Sequence, residues 1–295
     1  MRALPLLIAL LLASAADAQD PLVVDVQKLA ASRNNDDRFT VLTGILRARG
    51  VDFSVEPFTL DQPVGSEPRT TGRNIVATYG DAPDEIVLGA HYDAARLPDG
   101  SLSMGAVDNA ASSVMLAGVA EALRTRRPQA RVRIVWFDME ESGLAGSTRY
   151  LQAHAGDRIR SMLNFDINGY GDTAIFGAPP GGDDPQLRRA MVQTCSELAV
   201  DCVRFAGMPP GDDRSFGKAG IPTLSIAHLP AVEVHQLWLL LHAGDGSGLV
   251  PGTTPPIFRT IHTAADEVSK VDAATIARAR RLALALLQNL QRGPG

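Results

Sequence analysis

The stretch Val135–Trp136–Phe137–Asp138–Met139–Glu140–Glu141 is an apolar run that ends in two adjacent glutamates. Neighbouring side chains at a strand end point in different directions, so one carboxylate can hold a metal ion while the other handles a proton on water. Alone the pair is weak evidence, because paired acids are common on surfaces. It gains force from His91–Tyr92–Asp93, Asp108, Asp166 and His262, each placed where a sheet protein can bring them to one point. Imidazoles mixed with carboxylates form a ligand field that suits zinc, with cobalt or manganese as substitutes. One carboxylate shared between two ions would complete both shells, and ions ~3.5–4 Å apart can clamp a water and a substrate oxygen together.

Such a site needs strands that end side by side. Strand-like runs occur at Asn74–Tyr79, Glu85–Ala90, Arg131–Phe137, Met162–Ile167, Thr173–Phe176 and Thr223–Ala227. Helical spacing covers Leu22–Gly50, Asn109–Arg126, Leu144–His154, Pro185–Val200 and Ala273–Leu290. This alternation predicts an α/β protein, a three-layer α/β/α sandwich around a mixed, mostly parallel central sheet. The continuous apolar runs Ile86–Leu88 and Ile134–Phe137 suit strands covered on both faces. Ligands of such sheets bind beyond the carboxyl ends of the strands, where His91, Glu140, Glu141 and Asp166 stand. His228–Ile261 reads as irregular, a rim or lid with an apolar patch at Leu237–Leu241, within which Trp238 could line a pocket. His228, His235 and His242 recur at a constant interval, but Pro230 interrupts a shared helix face, so they read as surface or rim residues.

Residues 1–18 read as a secretory signal peptide, with Arg2 before an apolar run and Ala16–Asp17–Ala18 as the cleavage signal. Export, periplasmic or secreted, is therefore expected. That run is too short for a membrane span, and no later segment supplies about twenty unbroken apolar residues. Cleavage removes one arginine and one aspartate, so the net charge stays at −5. This mild acidity argues against a nucleic-acid partner. An oxidising compartment would let Cys195 and Cys202 form a local disulfide.

The segments Gly89–Ala90–His91–Tyr92–Asp93, Gly105–Ala106–Val107–Asp108–Asn109–Ala110, Phe137–Asp138–Met139–Glu140–Glu141, Asn164–Phe165–Asp166 and Ile261–His262–Thr263–Ala264–Ala265–Asp266 resemble, in order, the co-catalytic zinc exopeptidases of metallopeptidase family 28. The resemblance implies a single zinc peptidase domain over residues 19–295 and two Zn2+ per chain. Asp108 would bridge the ions, His91 and Asp166 would complete one, and Glu141 and His262 the other. It casts Glu140 as general base, Asp93 as hydrogen-bond acceptor for the His91 ring, and Asp266 as support for the His262 loop. It also places a cis peptide at Asp108–Asn109. The implied activity is removal of amino-terminal residues from peptides.

Two departures bear on substrate contacts. Many relatives carry Ser-Asp-His-x-x-Phe, whereas this chain has Gly211–Asp212–Asp213–Arg214–Ser215–Phe216, and no tyrosine lies between Cys195 and Cys202. Asp212, Asp213 and Arg214 are thus candidate substrate-side residues, with Arg214 an electrostatic replacement for the missing groups. The rivals are a glutaminyl-peptide cyclotransferase of the same fold using one zinc, a non-catalytic binding domain, and carboxypeptidase or dipeptidase action, since the metal core alone does not state which substrate end is held.

Overall fold

The inner strands are buried almost without a break, because their side chains point alternately to two faces that are both covered. The computed structural model describes residues 20–126, 128–180, 182–243, 248–250 and 252–292. The proposed signal peptide lies outside these residues. Two helices, α1 (Pro21–Ala30) and α2 (Asn35–Ala48), precede β1 (Ser54–Thr59), β2 (Thr71–Tyr79) and β3 (Asp84–His91). A one-turn π-helix (Ala106–Ala110) leads into α3 (Ala111–Leu123), β4 (Arg131–Phe137), α4 (Ala145–Ala153), β5 (Arg158–Phe165) and β6 (Thr173–Gly177). Then come α5 (Pro185–Leu198), β7 (Cys202–Arg204), α6 (Asp213–Lys218), β8 (Thr223–Leu229) and α7 (Ala231–His242). Two 3-10 turns, Pro256–Arg259 and Val268–Lys270, precede α8 (Ala273–Arg292).

The eight strands form one sheet in the order β1-β2-β4-β3-β5-β8-β6-β7. Its inner strands β4, β3, β5 and β8 run parallel, whereas β2 against β4 and β6 against β8 are antiparallel. Ile75, Leu88, Ile134 and Phe165 face α1, α2, α3, α5 and α8. Their neighbours Val76, Val87, Val135 and Phe137 face Tyr150 of α4 and Phe216 of α6 on the other side. A smaller apolar cluster joins Ile175, Ala227 and Leu229 to Val234 and Leu237 of α7 and to Ile257.

The structure corrects several expectations. Leu22–Gly50 is two helices, because Asn34 turns its side chain onto the Asp37 N–H and starts a new one. Part of the segment read as irregular is the helix α7. Its sequence is apolar on nearly every side, so it shows no clean amphipathic stripe. Strand β1 escaped notice because it sits at the sheet edge, paired only to β2, with a largely exposed pattern. His228 is not a rim residue but lies in β8 with no exposed surface. Cys195 and Cys202 form a disulfide joining α5 to β7. Among the described residues no helix is long and apolar enough to cross a membrane.

Candidate functional site

Three adjacent strand ends carry most of the polar cluster. β3 ends on His91, β4 runs out through Asp138 to Glu140 and Glu141, and β5 is followed by Asp166. Asp108 sits in the π-turn ahead of α3, and His262 follows the first 3-10 turn. At three of these points the backbone takes positive φ without glycine: Met139 (57°), Ile167 (57°) and His262 (56°). That conformation costs roughly 1–2 kcal/mol per residue, and it persists where surrounding contacts hold it, a pattern concentrated at functional sites. The Asp108–Asn109 peptide is cis.

Three overlapping sets of candidate ligands occur among the described residues: two share Asp108, and a third joins His91 to Glu140 and Glu141. His91 Nε2 lies 3.0 Å from Asp108 Oδ1 and 3.7 Å from Asp166 Oδ1. His262 Nε2 lies 3.1 Å from Asp108 Oδ2 and 3.0 Å from Glu141 Oε2. Within each set the candidate ligand atoms fall within 4.8 Å of one another. Ligands ~2.1 Å from one tetrahedral zinc stand roughly 3.4 Å from each other, so this spacing fits a shared cation. Orientation agrees with spacing: His91 Nε2, Asp108 Oδ1, Glu141 Oε1 and Asp166 Oδ1 are buried without a hydrogen-bond partner. Buried polar atoms are otherwise nearly always paired. The donor set therefore fits divalent cations held around Asp108.

A second layer holds these groups in place. His91 Nδ1 donates to the Asp93 main-chain carbonyl at 3.2 Å and lies 3.3 Å from its carboxylate. The Asp93 carboxylate instead accepts the main-chain N–H groups of Glu140 and Glu141, at 3.1 and 3.2 Å. One residue thus fixes both the imidazole and the paired glutamates. Asp266, expected to support the His262 loop, donates its N–H to Thr263 O at 3.3 Å, and its carboxylate accepts the N–H groups of Val107 (2.6 Å) and Asp108 (3.1 Å). It supports the Asp108 turn directly. Sequence reasoning missed Asn109, which donates to Phe165 O and accepts from Ile167 N, lashing the Asp108 turn to the Asp166 loop. It also missed Asn168, whose amide donates to Asp166 O and whose oxygen takes a hydrogen from His228 Nδ1. Asn109 stands inside the Asp108 motif and Asn168 two residues beyond Asp166, but no spacing rule marks either.

Burial dominates the electrostatics. It raises the Glu140 carboxyl well above the usual range, with Asp212, Glu141 and Asp166 adding to the effect and His91 opposing it. Glu141 is pushed up to about 7 by burial and by Asp108. Burial also acts to raise Asp108, but the imidazoles of His262 and His91 outweigh it and hold that carboxyl below its ordinary value. His262 rises to about 11 through its contacts with Asp108 and Glu141. These crowded acids resist ionising together, a strain that a bound cation would relieve.

A cavity of about 460 Å3 opens beside Asp108, Glu140, Asp166 and His262. Ile175, Leu229, Leu237, Ile257 and Ile261 make its wall apolar, and Met208–Pro209–Pro210 lie at its edge. The four substrate-side candidates do not line it. Trp238 is exposed and stacks on His242, with ring centroids 5.0 Å apart, while its neighbour Leu237 faces the cavity. Arg214 is exposed on α6. Asp212 and Asp213 are buried, and none of their four carboxylate oxygens finds a hydrogen-bond partner. Burial pushes each to about 7. From this loop only Gly211 reaches the cavity.

A family model described as Peptidase family M28 matches residues 74–287. Leupeptin-inactivating enzyme 1 of Streptomyces exfoliatus is 29% identical over 189 residues, 61% of this chain and 39% of that protein. An aminopeptidase of Pseudomonas aeruginosa is 33% identical over 129 residues, covering 38% of this chain and 23% of its own. The chain thus spans well under half the length of these curated relatives. Among solved structures, a zinc aminopeptidase from Bacillus subtilis superposes with a TM-score of 0.69 at 13% identity, covering 90% of this chain and 93% of the other. A glutaminyl cyclase from Porphyromonas gingivalis gives a TM-score of 0.70 at 18% identity, covering 90% and 96%. At these identities both likenesses speak for the fold.

Proposed function

The chain belongs to peptidase family M28, and from that premise we propose that it is an exported, zinc-dependent aminopeptidase using two cations. The observation that carries this reading is the pair of ligand sets meeting at Asp108, His91 and Asp166 on one side, Glu141 and His262 on the other. Five donors with one shared residue suit two ions better than one.

Bound there, the cations would supply Lewis acidity, making a water acidic and polarising the scissile carbonyl. The protein's own groups do the rest. Glu140 is half-buried and faces the cavity beside Asp108 and Asp166. It removes a proton from the attacking water and delivers it to the departing amine nitrogen. Asp93 keeps the backbone of Glu140 and Glu141 fixed during that exchange. The apolar wall of Ile175, Leu229, Leu237 and Ile257 receives the side chain of the substrate's first residue and keeps bulk water from the reacting carbonyl. An apolar amino-terminal residue is therefore the preferred substrate, on peptides rather than nucleic acids.

Metal analysis with a paired assay tests the reading. Two zinc ions per chain with release of amino-terminal leucine or phenylalanine supports it. One zinc with pyroglutamate formation from glutaminyl peptides replaces it by the cyclase, and intact metal with neither reaction by a binding domain.

A further inference from the structure

Arg38 of α2 is fully buried, and among the described residues it pairs with no carboxylate. All three of its guanidinium nitrogens donate to main-chain carbonyls: Nε to Tyr92 at 2.5 Å, Nη1 to Met104 at 2.8 Å and Nη2 to Gly105 at 3.2 Å. Tyr92 lies between His91 and Asp93, and Gly105 opens the turn that presents Asp108. One planar group therefore spans the two loops from which His91 and Asp108 project. Such a fork is a property of arginine; a lysine ammonium is a single point and cannot hold three separated carbonyls in one plane.

Its neighbour Asn35 reinforces the grip. Asn35 Oδ1 accepts the Ala94 N–H at 3.0 Å, and its amide donates to Ala94 O at 3.3 Å and to buried Glu67 at 3.1 Å. Both residues precede the segment 74–287 that the family model matches. The arginine's charge has a destination as well. Burial lowers its pKa to about 10, so it stays protonated, and Asp93, Asp266, Asp108 and Glu141 are the acids whose charges favour it. Asp93 and Asp266 are the two carboxylates that hold the ligand-bearing backbone.

We propose that Arg38 is a positioning residue of the metal centre, a buried fork that sets the distance between His91 and Asp108 and so the geometry in which Asp108 joins two cations. This rests on the two-cation reading above. It also fixes the sign of the effect. A positive charge acting only through space would repel the cations, so its removal would tighten zinc binding; a fork that sets ligand spacing gives the opposite result.

The test is zinc affinity, by competition with a chromophoric chelator, in the wild-type chain and in Arg38→Met, Arg38→Lys and Leu46→Ala. Leu46 is a fully buried residue of the same helix and controls for lost packing. Positions behind metal ligands cost about 10–100-fold in affinity. Arg38→Met should lose at least about tenfold, Arg38→Lys should also weaken, and the visible spectrum of their Co2+ forms should change. Leu46→Ala should melt lower yet bind zinc as wild type does. Wild-type or tighter affinity in either Arg38 variant overturns the inference, as does loss in Leu46→Ala that matches theirs. If Arg38→Met does not fold, Arg38→Lys decides. A wild-type chain that binds no zinc overturns both this inference and the reading beneath it.

Discussion

Glu140 and Glu141 are the same amino acid one position apart, yet their surroundings give them different work. Glu141 lies 3.0 Å from His262 and shares Asp108 with it, which makes it a ligand in our account. Glu140 faces the cavity, with burial rather than a partner setting its proton affinity. Glu140→Gln should therefore keep two zinc ions after dialysis while kcat falls by roughly 10²–10⁴, the usual worth of a general base. Glu141→Gln should lose one ion. Near-normal turnover in the first, or full metal content in the second, would reverse these roles. The same contrast shows what could be read early. Ligands at strand ends announce themselves because the apolar strand before them is visible in sequence. Asp266 differs, since its contact with the Asp108 turn crosses 158 residues and no periodicity reports it. Replacing it by Ala strands two buried N–H groups, a cost of about 1–3 kcal/mol each. Chemical denaturation of the metal-free protein should show that loss.

At the level of elements, the central strands and long helices were legible because doubly buried strands are continuously apolar and α8 carries one clear apolar stripe. The element that forms one wall of the cavity was not. Helix α7 hides its identity behind apolar residues on both its inner and outer faces, and its buried acid, Glu233, has partners distant in sequence. Glu233 accepts the Tyr170 hydroxyl and the Ile257 N–H, both at 2.8 Å. It thereby ties α7 to the turn that leads into His262. Glu233→Ala should loosen that wall, raising KM for substrates with an apolar first residue more than it lowers kcat. Steady-state kinetics on leucyl and alanyl substrates would check this, and an equal effect on both would count against the wall's role in recognition.

Over the whole molecule, charge and burial give a pH dependence that sequence could not foresee, because His228 read as a surface residue and proves to be core. Burial lowers its pKa to about 4, whereas an unfolded histidine titrates near 6.5. Between those values the unfolded chain binds the extra proton, so stability is full above pH 6.5 and declines as pH falls towards 4. From pH 7 to 4.5 this group alone should cost about 2 kcal/mol. His228→Gln should lose that much less over the same interval, as urea denaturation at both pH values would show. Export is tested separately: the mature chain from a secreting host should begin at Gln19. The central claim is that two cations meet at Asp108, and a crystal structure of the zinc-loaded protein with anomalous scattering at the zinc edge addresses it directly. The account predicts two peaks ~3.5–4 Å apart, one bound by His91 and Asp166, the other by Glu141 and His262, with Asp108 bound to both. A single peak, or an Asp108 carboxylate touching neither ion, would contradict it.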